Sequence, residues 1–483
     1  MRLLAALLAF CCFASAHAAA LPATVSQALK KAGIPRSGIA VEVRELSKQT
    51  PLISINTKRP MNPASTMKLL TTYAALDLLG PAYTWKTEAW ITGELKDGVL
   101  NGDLILKGYG DPKFTIEQFW LWLGELRARG LREIRGDLVL DRSRFDLPAH
   151  DPAEFDSDPA RAYNVGPDAL LLNFNTLRLR YMLEGDSLKV VSEPPLDGIT
   201  LENQLAPNGD SVNCDNWDDL FSVQPIGDSV VLQGDYPVGC GEREQNLSVM
   251  PHTRYVESVF RAIWQELGGT LQGIQRDGTV GSDAKLLSSH RSEPLSAVIR
   301  DINKFSNNVM TRQLFLTLGE AGPALDEPVP SLAAGTTGSS STQPLSFERS
   351  LFAMQAWLAR NRLDFEELVL ENGAGLSRKE RISATHMAQL LQHAARNPLS
   401  AELQASLPIL GVDGSMKKRL RESPAASHAH LKTGTLEGVK TIAGYVRSES
   451  GKEWIVVFFI NHPNARQGQA AQDALIEWVQ QRH

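Results

Sequence analysis

One helix constrains this chain more than any other segment. Residues 62–80 read Asn-Pro-Ala-Ser-Thr-Met-Lys-Leu-Leu-Thr-Thr-Tyr-Ala-Ala-Leu-Asp-Leu-Leu-Gly. Asn62 is suited to cap a helix, Pro63 to occupy its first position, and Gly80-Pro81 to end it. Leu69, Leu70, Tyr73, Ala74, Ala75, Leu76, Leu78 and Leu79 then cover nearly every face. A helix that is apolar all round is a buried one, so the fold must place elements on several sides of it. Yet this helix carries Lys68. A buried lysine is costly unless it has a task. Ser65 precedes it by three residues, which puts both side chains on one face. A serine hydroxyl becomes a nucleophile when a base takes its proton. A lysine can be that base if desolvation or a nearby positive charge lowers its pKa.

The chain is long enough to build such a core. Its 483 residues correspond to about three domains of ~100–200 residues. Strands are expected at 38–45 and 52–56, before the buried helix. From about 87 to 285 short alternating runs (99–107, 137–141, 177–183, 188–192, 229–234) with Gly, Asp and Pro turns predict a β-rich block, with a helical run at 256–267. Helices return at 295–318 and 346–361. Between them 321–343, rich in Gly, Pro, Ser and Thr, reads as a loop. Near the C-terminus, 430–433, 441–448 and 454–461 read as strands, with a Ser450-Gly451 hairpin turn between the last two. Residues 467–480 read as a closing helix. These pieces predict an α/β sandwich, 19–86 with 286–483, interrupted by a β-rich insertion, 87–285. The insertion divides naturally into 87–175 with 246–285, and 176–245.

The N-terminus predicts export. Arg2, the apolar run 3–13 and Ala16-His17-Ala18 have the layout of a signal peptide cleaved near Ala18. No apolar run after residue 20 approaches ~18 residues, which excludes a multi-span membrane protein and leaves no transmembrane anchor. The expected location is a periplasm. The net charge is −6 with no basic block, so nucleic acid is not an expected partner. After cleavage Cys214 and Cys240 remain, an even pair in an oxidising compartment. A bridge would close a loop of about 25 residues, worth about 3 kcal/mol in the chain-entropy model; two free buried thiols are the alternative.

Three Ser-x-x-Lys pairs occur: Ser65/Lys68, Ser282/Lys285 and Ser415/Lys418. Only the first lies on a capped, all-apolar helix; the others read as solvated charges. Lys432-Thr433-Gly434-Thr435 falls on a predicted strand, and a Lys-Thr-Gly is expected only roughly 0.1 times in a chain this long. There Lys432 offers charge and Thr433 a hydroxyl to a substrate carboxylate, while Gly434 lets a substrate backbone approach. Ser306-Asn307-Asn308 follows an apolar helix and supplies a hydroxyl and an amide at i, i+2. The similar triplets at Ser54/Asn56 and Ser211/Asn213 read as structural. His428 and His430 read as a turn leading into the Lys432 strand. No metal, phosphate-loop or dinucleotide signature is present, so no metal and no cofactor are expected.

The ordered set Ser-x-x-Lys, Ser-x-Asn, Lys-Thr-Gly is far more specific than its members and belongs to β-lactamases and penicillin-binding proteins. The chain resembles most the class C low-molecular-mass penicillin-binding proteins, the D-Ala-D-Ala carboxypeptidase/endopeptidase family. About 240 residues separate Ser65 from Ser306, matching that family's large insertion. Asn303-Lys304-x-Ser306-Asn307-Asn308 and Asn372-Gly373-Ala374-Gly375-Leu376-Ser377-Arg378 are similar to its motifs.

The resemblance implies a transpeptidase-like α/β sandwich, an antiparallel sheet flanked by helices, with one or two β-rich inserted domains. It implies Ser65 as nucleophile and Lys68 as base. Ser306 would relay a proton to the leaving amine, held by Asn308 and Lys432. Asn308 would also bind a substrate amide, Thr433 and Thr435 a terminal carboxylate. The N–H groups of Ser65 and Thr435 would form the oxyanion hole. The implied partners are peptidoglycan stem peptides and β-lactam antibiotics. The family's insertion is thought to aim an acidic group at the substrate's diamino acid; the run 154–158 is the candidate. A serine β-lactamase and a wall-binding protein with a relict site are the alternative readings.

Overall fold

The computed structural model describes residues 20–185, 187–209, 213–322 and 343–483. The predicted signal peptide and most of the predicted loop 321–343 lie outside the described residues, as does Ser211 of one Ser-x-Asn triplet.

The central sheet is antiparallel, in the order Ala429–Leu436, Val439–Arg447, Glu453–Asn461, Ile39–Glu45 and Ile53–Ile55. Both faces are covered, so its middle strands are apolar at consecutive positions, as in Trp454–Ile460, rather than alternating with polar residues. On one face Val41, Val43, Ile442, Val456 and Phe458 pack against helices Ala23–Lys31 and Gln469–Gln480. On the other, Ala40, Ala443, Val457 and Phe459 pack against the buried helix, observed as Lys68–Leu79, and against Leu295–Phe305 and Ala384–Arg396. This is the sandwich the sequence predicts. Gly451, at φ +78°, turns the last hairpin, its N–H donating to Ser448 O.

The chain leaves this core after Gly80 and returns at Pro294. Strands Lys86–Ile91 and Lys285–Arg291 pair with each other, so the long insertion enters and exits side by side. These two strands close a five-stranded mixed sheet with Leu104–Gly108, Leu138–Asp141 and Gln275–Asp277. Helices Ile116–Ala128 and His252–Glu266 pack on it. The first of these helices was not legible in the sequence. Its Phe-Trp-Leu-Trp-Leu run suits a strand equally well, and the capping box between Thr115 and Gln118 decides for helix. Residues 177–247 form a separate pair of three-stranded sheets around Leu179, Tyr181, Leu232 and Tyr236. Cys214 and Cys240 are bridged there, with Cα atoms 5.4 Å apart.

Candidate active site

The chain enters the site through a strained turn. Asn62 does cap it, its Oδ1 accepting from the Ala64 N–H at 2.8 Å. The α-helix, however, begins at Lys68, not Pro63. Residues Ala64–Met67 form a 3₁₀ turn, and Ala64 sits at φ +45°. The cause is tertiary. Asn62 Nδ2 donates to Ser377 O, Thr441 Oγ1 donates to Pro63 O, and the Asn461 amide holds Asn62 on both sides. Such outliers persist only where surrounding structure over-determines them. Here the tether fixes Ser65 at the base of a groove.

Lys68 is fully buried. Its Nζ lies 3.1 Å from Ser65 Oγ and donates to Asn308 Oδ1 at 2.6 Å and to Ala374 O. Burial, then the positive charges of Lys432 and Arg312, push its pKa well below the ordinary lysine value, against the pull of Glu380.

Ser306 ends helix Leu295–Phe305 in the left-handed region, φ +59°. Its Oγ accepts from Lys432 Nζ at 2.8 Å. Asn307 caps the next helix, Asn308–Thr317, through its side chain. That cap places Asn308 at the helix start, where it meets Lys68 rather than Ser306, and Ser306 is held by Lys432. Asn303 and Lys304 are anchors, bonded to Thr72 and Ser406 and to Asp413.

Lys432 lies on strand Ala429–Leu436 and is also fully buried, which lowers its pKa to about 7. Burial thus weakens the charged form of both lysines of the site. Gly434 is indeed a close-approach glycine, but what approaches is the protein. A Cβ there would meet Thr441 Oγ1 at 2.3 Å and the Pro63 O and Ser65 N at 2.9 Å. Thr433 Oγ1 shares a 2.7 Å hydrogen bond with Ser415 Oγ. Ser415 therefore belongs to the rim of the site, whereas Lys418 is exposed as expected. Lys285 opens an inserted strand and Ser282 lies in the turn before it; both are exposed. Ser54 and Asn56 hold local structure, bonded to Thr57 and to the Arg36 and Ile39 carbonyls. His430 Nδ1 meets Gln404 O. Among the described residues no group of three or more His, Cys, Asp or Glu side chains is placed to hold a metal ion.

Ser65, Ser306, Asn308, Thr433 and Thr435 line one groove of about 1440 Å³. The insertion lines the same groove through Phe155, Asp156 and Tyr163, with Arg378 beside Phe155. Within the acidic run 154–158, Asp156 is the carboxylate that reaches the groove. It accepts from the Tyr163 hydroxyl at 2.6 Å and from Asn164 Nδ2 at 2.7 Å. Burial opposes ionisation, yet these bonds hold its carboxyl below the usual range. The Arg378 guanidinium lies 4.9 Å from the Phe155 ring centroid. Tyr163 and Phe155 were not singled out from sequence; nothing in their spacing relates them to residues 65 or 306.

A serine beside a buried lysine, a second serine on a second buried lysine, and an open groove between them define a serine acyl-transfer site. The chain belongs to the D-Ala-D-Ala carboxypeptidase 3 (S13) family, whose model matches residues 21–482. It is 25% identical over 434 residues to D-alanyl-D-alanine carboxypeptidase DacB of Haemophilus influenzae, covering 88% of this chain and 85% of that protein. It is 27% identical over 410 residues to a D-alanyl-D-alanine carboxypeptidase of an Actinomadura species, covering 81% and 71%. The fold matches the crystal structure of penicillin binding protein 4 from H. influenzae with a TM-score of 0.75 at 23% identity, over 94% of this chain and 99% of that one.

Proposed function

We propose that the groove cleaves the bond after a D-alanine in peptidoglycan stem peptides, through an ester on Ser65, and that β-lactams acylate the same oxygen. The observation that carries this is Lys68: buried, low in pKa and 3.1 Å from Ser65 Oγ. As a neutral amine it donates its two N–H groups to Asn308 Oδ1 and Ala374 O. That leaves its lone pair for the Ser65 hydroxyl proton. Ser65 Oγ attacks the D-alanine carbonyl, and the oxyanion rests on the N–H groups of Ser65 and Thr435, where one donor is worth about 3 kcal/mol. Ser306, polarised by Lys432, relays to the departing amine the proton that Lys68 took from Ser65, which returns Lys68 to its neutral form. Thr433 and Thr435 hold the terminal carboxylate, which also favours the charged form of Lys432. Water then hydrolyses the ester with Lys68 again as base.

The amine leaves either as free D-alanine or as the cross-linked strand, so one site serves carboxypeptidase and endopeptidase reactions. Asp156 and Arg378 read the diamino acid, Asp156 through its amine and Arg378 through a carboxylate. On the proposed division into a catalytic unit (19–86 with 286–483) and an insertion (87–285), Asp156 comes from the insertion and Arg378 from the catalytic unit, and both line the groove. None of the helices among the described residues is long and apolar enough to cross a membrane, which suits an exported enzyme free in the periplasm.

The test is incubation with fluorescent penicillin. A lasting adduct mapped to Ser65 supports the reading; rapid turnover of the drug would make it a β-lactamase, and no adduct a binding protein. Asp156→Ala should lower kcat/KM for diamino-acid peptides while leaving penicillin acylation near wild type.

A further inference from the structure

Glu380 is a fully buried carboxylate on the far side of the loop that Lys68 touches. Its Oε1 accepts three backbone N–H groups, from Glu371 at 3.1 Å, Asn372 at 3.0 Å and Gly373 at 2.9 Å. The next carbonyl along that loop, Ala374 O, accepts from Lys68 Nζ. The other oxygen, Oε2, is buried without a hydrogen-bond partner. A purely structural acceptor for three N–H groups need not carry a charge, and burying one with a bare oxygen is expensive. Two buried cations, Lys68 and Arg312, interact with its charge. Lys68, Lys432 and Arg312 are all buried, and Arg312 donates to the Val165 and Asn164 carbonyls. The other carboxylate beside Arg312, Glu371, is paired with Lys379 at 2.7 Å.

We propose that Glu380 is the positioning residue of the general base: its ionised carboxylate fixes the 371–374 backbone so that Ala374 O receives Lys68, and its charge sets where Lys68 loses its proton. This rests on Lys68 being the base. Burial leaves the Glu380 pKa above the ordinary carboxylate value, and three backbone N–H groups on one carboxylate, together with Lys68, favour its ionised form against that. The groups acting on Lys68 are Lys432 and Arg312, which drive its proton off, and Glu380, which holds it on. Glu380 therefore keeps the base from being too weak: without it Lys68 would be neutral over a wider pH range but less able to take the Ser65 proton.

The experiment measures the second-order rate of acylation by fluorescent penicillin from pH 4.5 to 9 in wild type, Glu380→Gln and Glu380→Asp. Gln keeps an acceptor oxygen but no charge, so the acid limb should move to lower pH by about half a unit or more, with the plateau reduced severalfold. Asp keeps the charge one methylene further from the loop, so its limb should stay near wild type while the plateau falls. A Gln limb that does not move, with only a lower plateau, would reduce Glu380 to scaffolding and overturn the proposal. If Gln does not fold, Asp carries the test: an Asp limb displaced downward would overturn it as well. A wild-type profile without any acid limb would instead reject Lys68 as the base, which separates failure of that reading from failure of this one.

Discussion

Gly375→Ala tests the site's most crowded backbone contact. Gly375 sits at φ +77°, and a Cβ there would lie 1.9 Å from Ala64 O, 2.3 Å from Ala64 C and 2.8 Å from Ser65 N. Real Cβ atoms essentially never come within 3.0 Å, so one side must move by more than about 1 Å. The Ser65 turn cannot retreat freely, because Gly434 already lies against it: a Cβ on Gly434 would meet Ser65 N at 2.9 Å. Nor can the glycine loop, tied through Ser377 O to Asn62 and through Glu380 to its own backbone. The displacement should fall on the 3.1 Å separation of Ser65 Oγ from Lys68 Nζ. A misplacement of about 1 Å costs roughly 10²-fold in rate, or about 2.7 kcal/mol of barrier. The left-handed φ adds about 1–2 kcal/mol against folding. The assay is pseudo-first-order labelling by fluorescent penicillin across drug concentration, with thermal melting alongside. Gly451→Ala is the control: it also has a left-handed φ, +78°, but nothing lies within 4 Å of its would-be Cβ. It should cost only the left-handed φ, about 1–2 kcal/mol, and leave acylation unchanged. If Gly375→Ala acylates within about threefold of wild type, the reasoning from close packing to nucleophile position is wrong.

Ser65→Ala should abolish covalent penicillin labelling with melting unchanged; an adduct found by mass analysis at Ser282 or Ser415 would contradict the choice of nucleophile. Thiol titration of unfolded, unreduced protein should find Cys214 and Cys240 blocked. Reduction should cost about 3 kcal/mol and, by hydrogen exchange, loosen 177–247 more than the Ser65 helix. Lys432→Met should stabilise the fold, most at low pH. Burial lowers the lysine's pKa from 10.5 to about 7, so the unfolded chain binds more protons between those values. The penalty removed by Met is full below about pH 7 and fades as pH rises to 10.5, so urea melts at pH 6, 8 and 10 should show a shrinking gain, while activity on peptides with a terminal carboxylate is lost.

What the sequence determined by itself is local. The apolar run 69–79 had to be a buried helix, and the three C-terminal strand runs had to be covered on both faces. Gly80-Pro81 ended the helix, Asn62 capped the turn that leads into it, and the motif order named Ser65, Lys68, Ser306 and Lys432. Periodicity and capping act over a few residues, so they can be read from a few residues. Tertiary structure decided the rest. It drew Asn308 onto Lys68, set the Ser65 turn in strained geometry by tethers from Ser377, Thr441 and Asn461, and packed Gly434 against Thr441, Pro63 and Ser65. It brought Asp156 and Tyr163 of the insertion into the groove that Ser65 lines, and lowered the pKa of both lysines together. Each of these depends on which atoms from distant segments come within a few ångströms and on how much water they exclude. Desolvation and charge–charge coupling are properties of that packed arrangement, and no spacing along the chain encodes them.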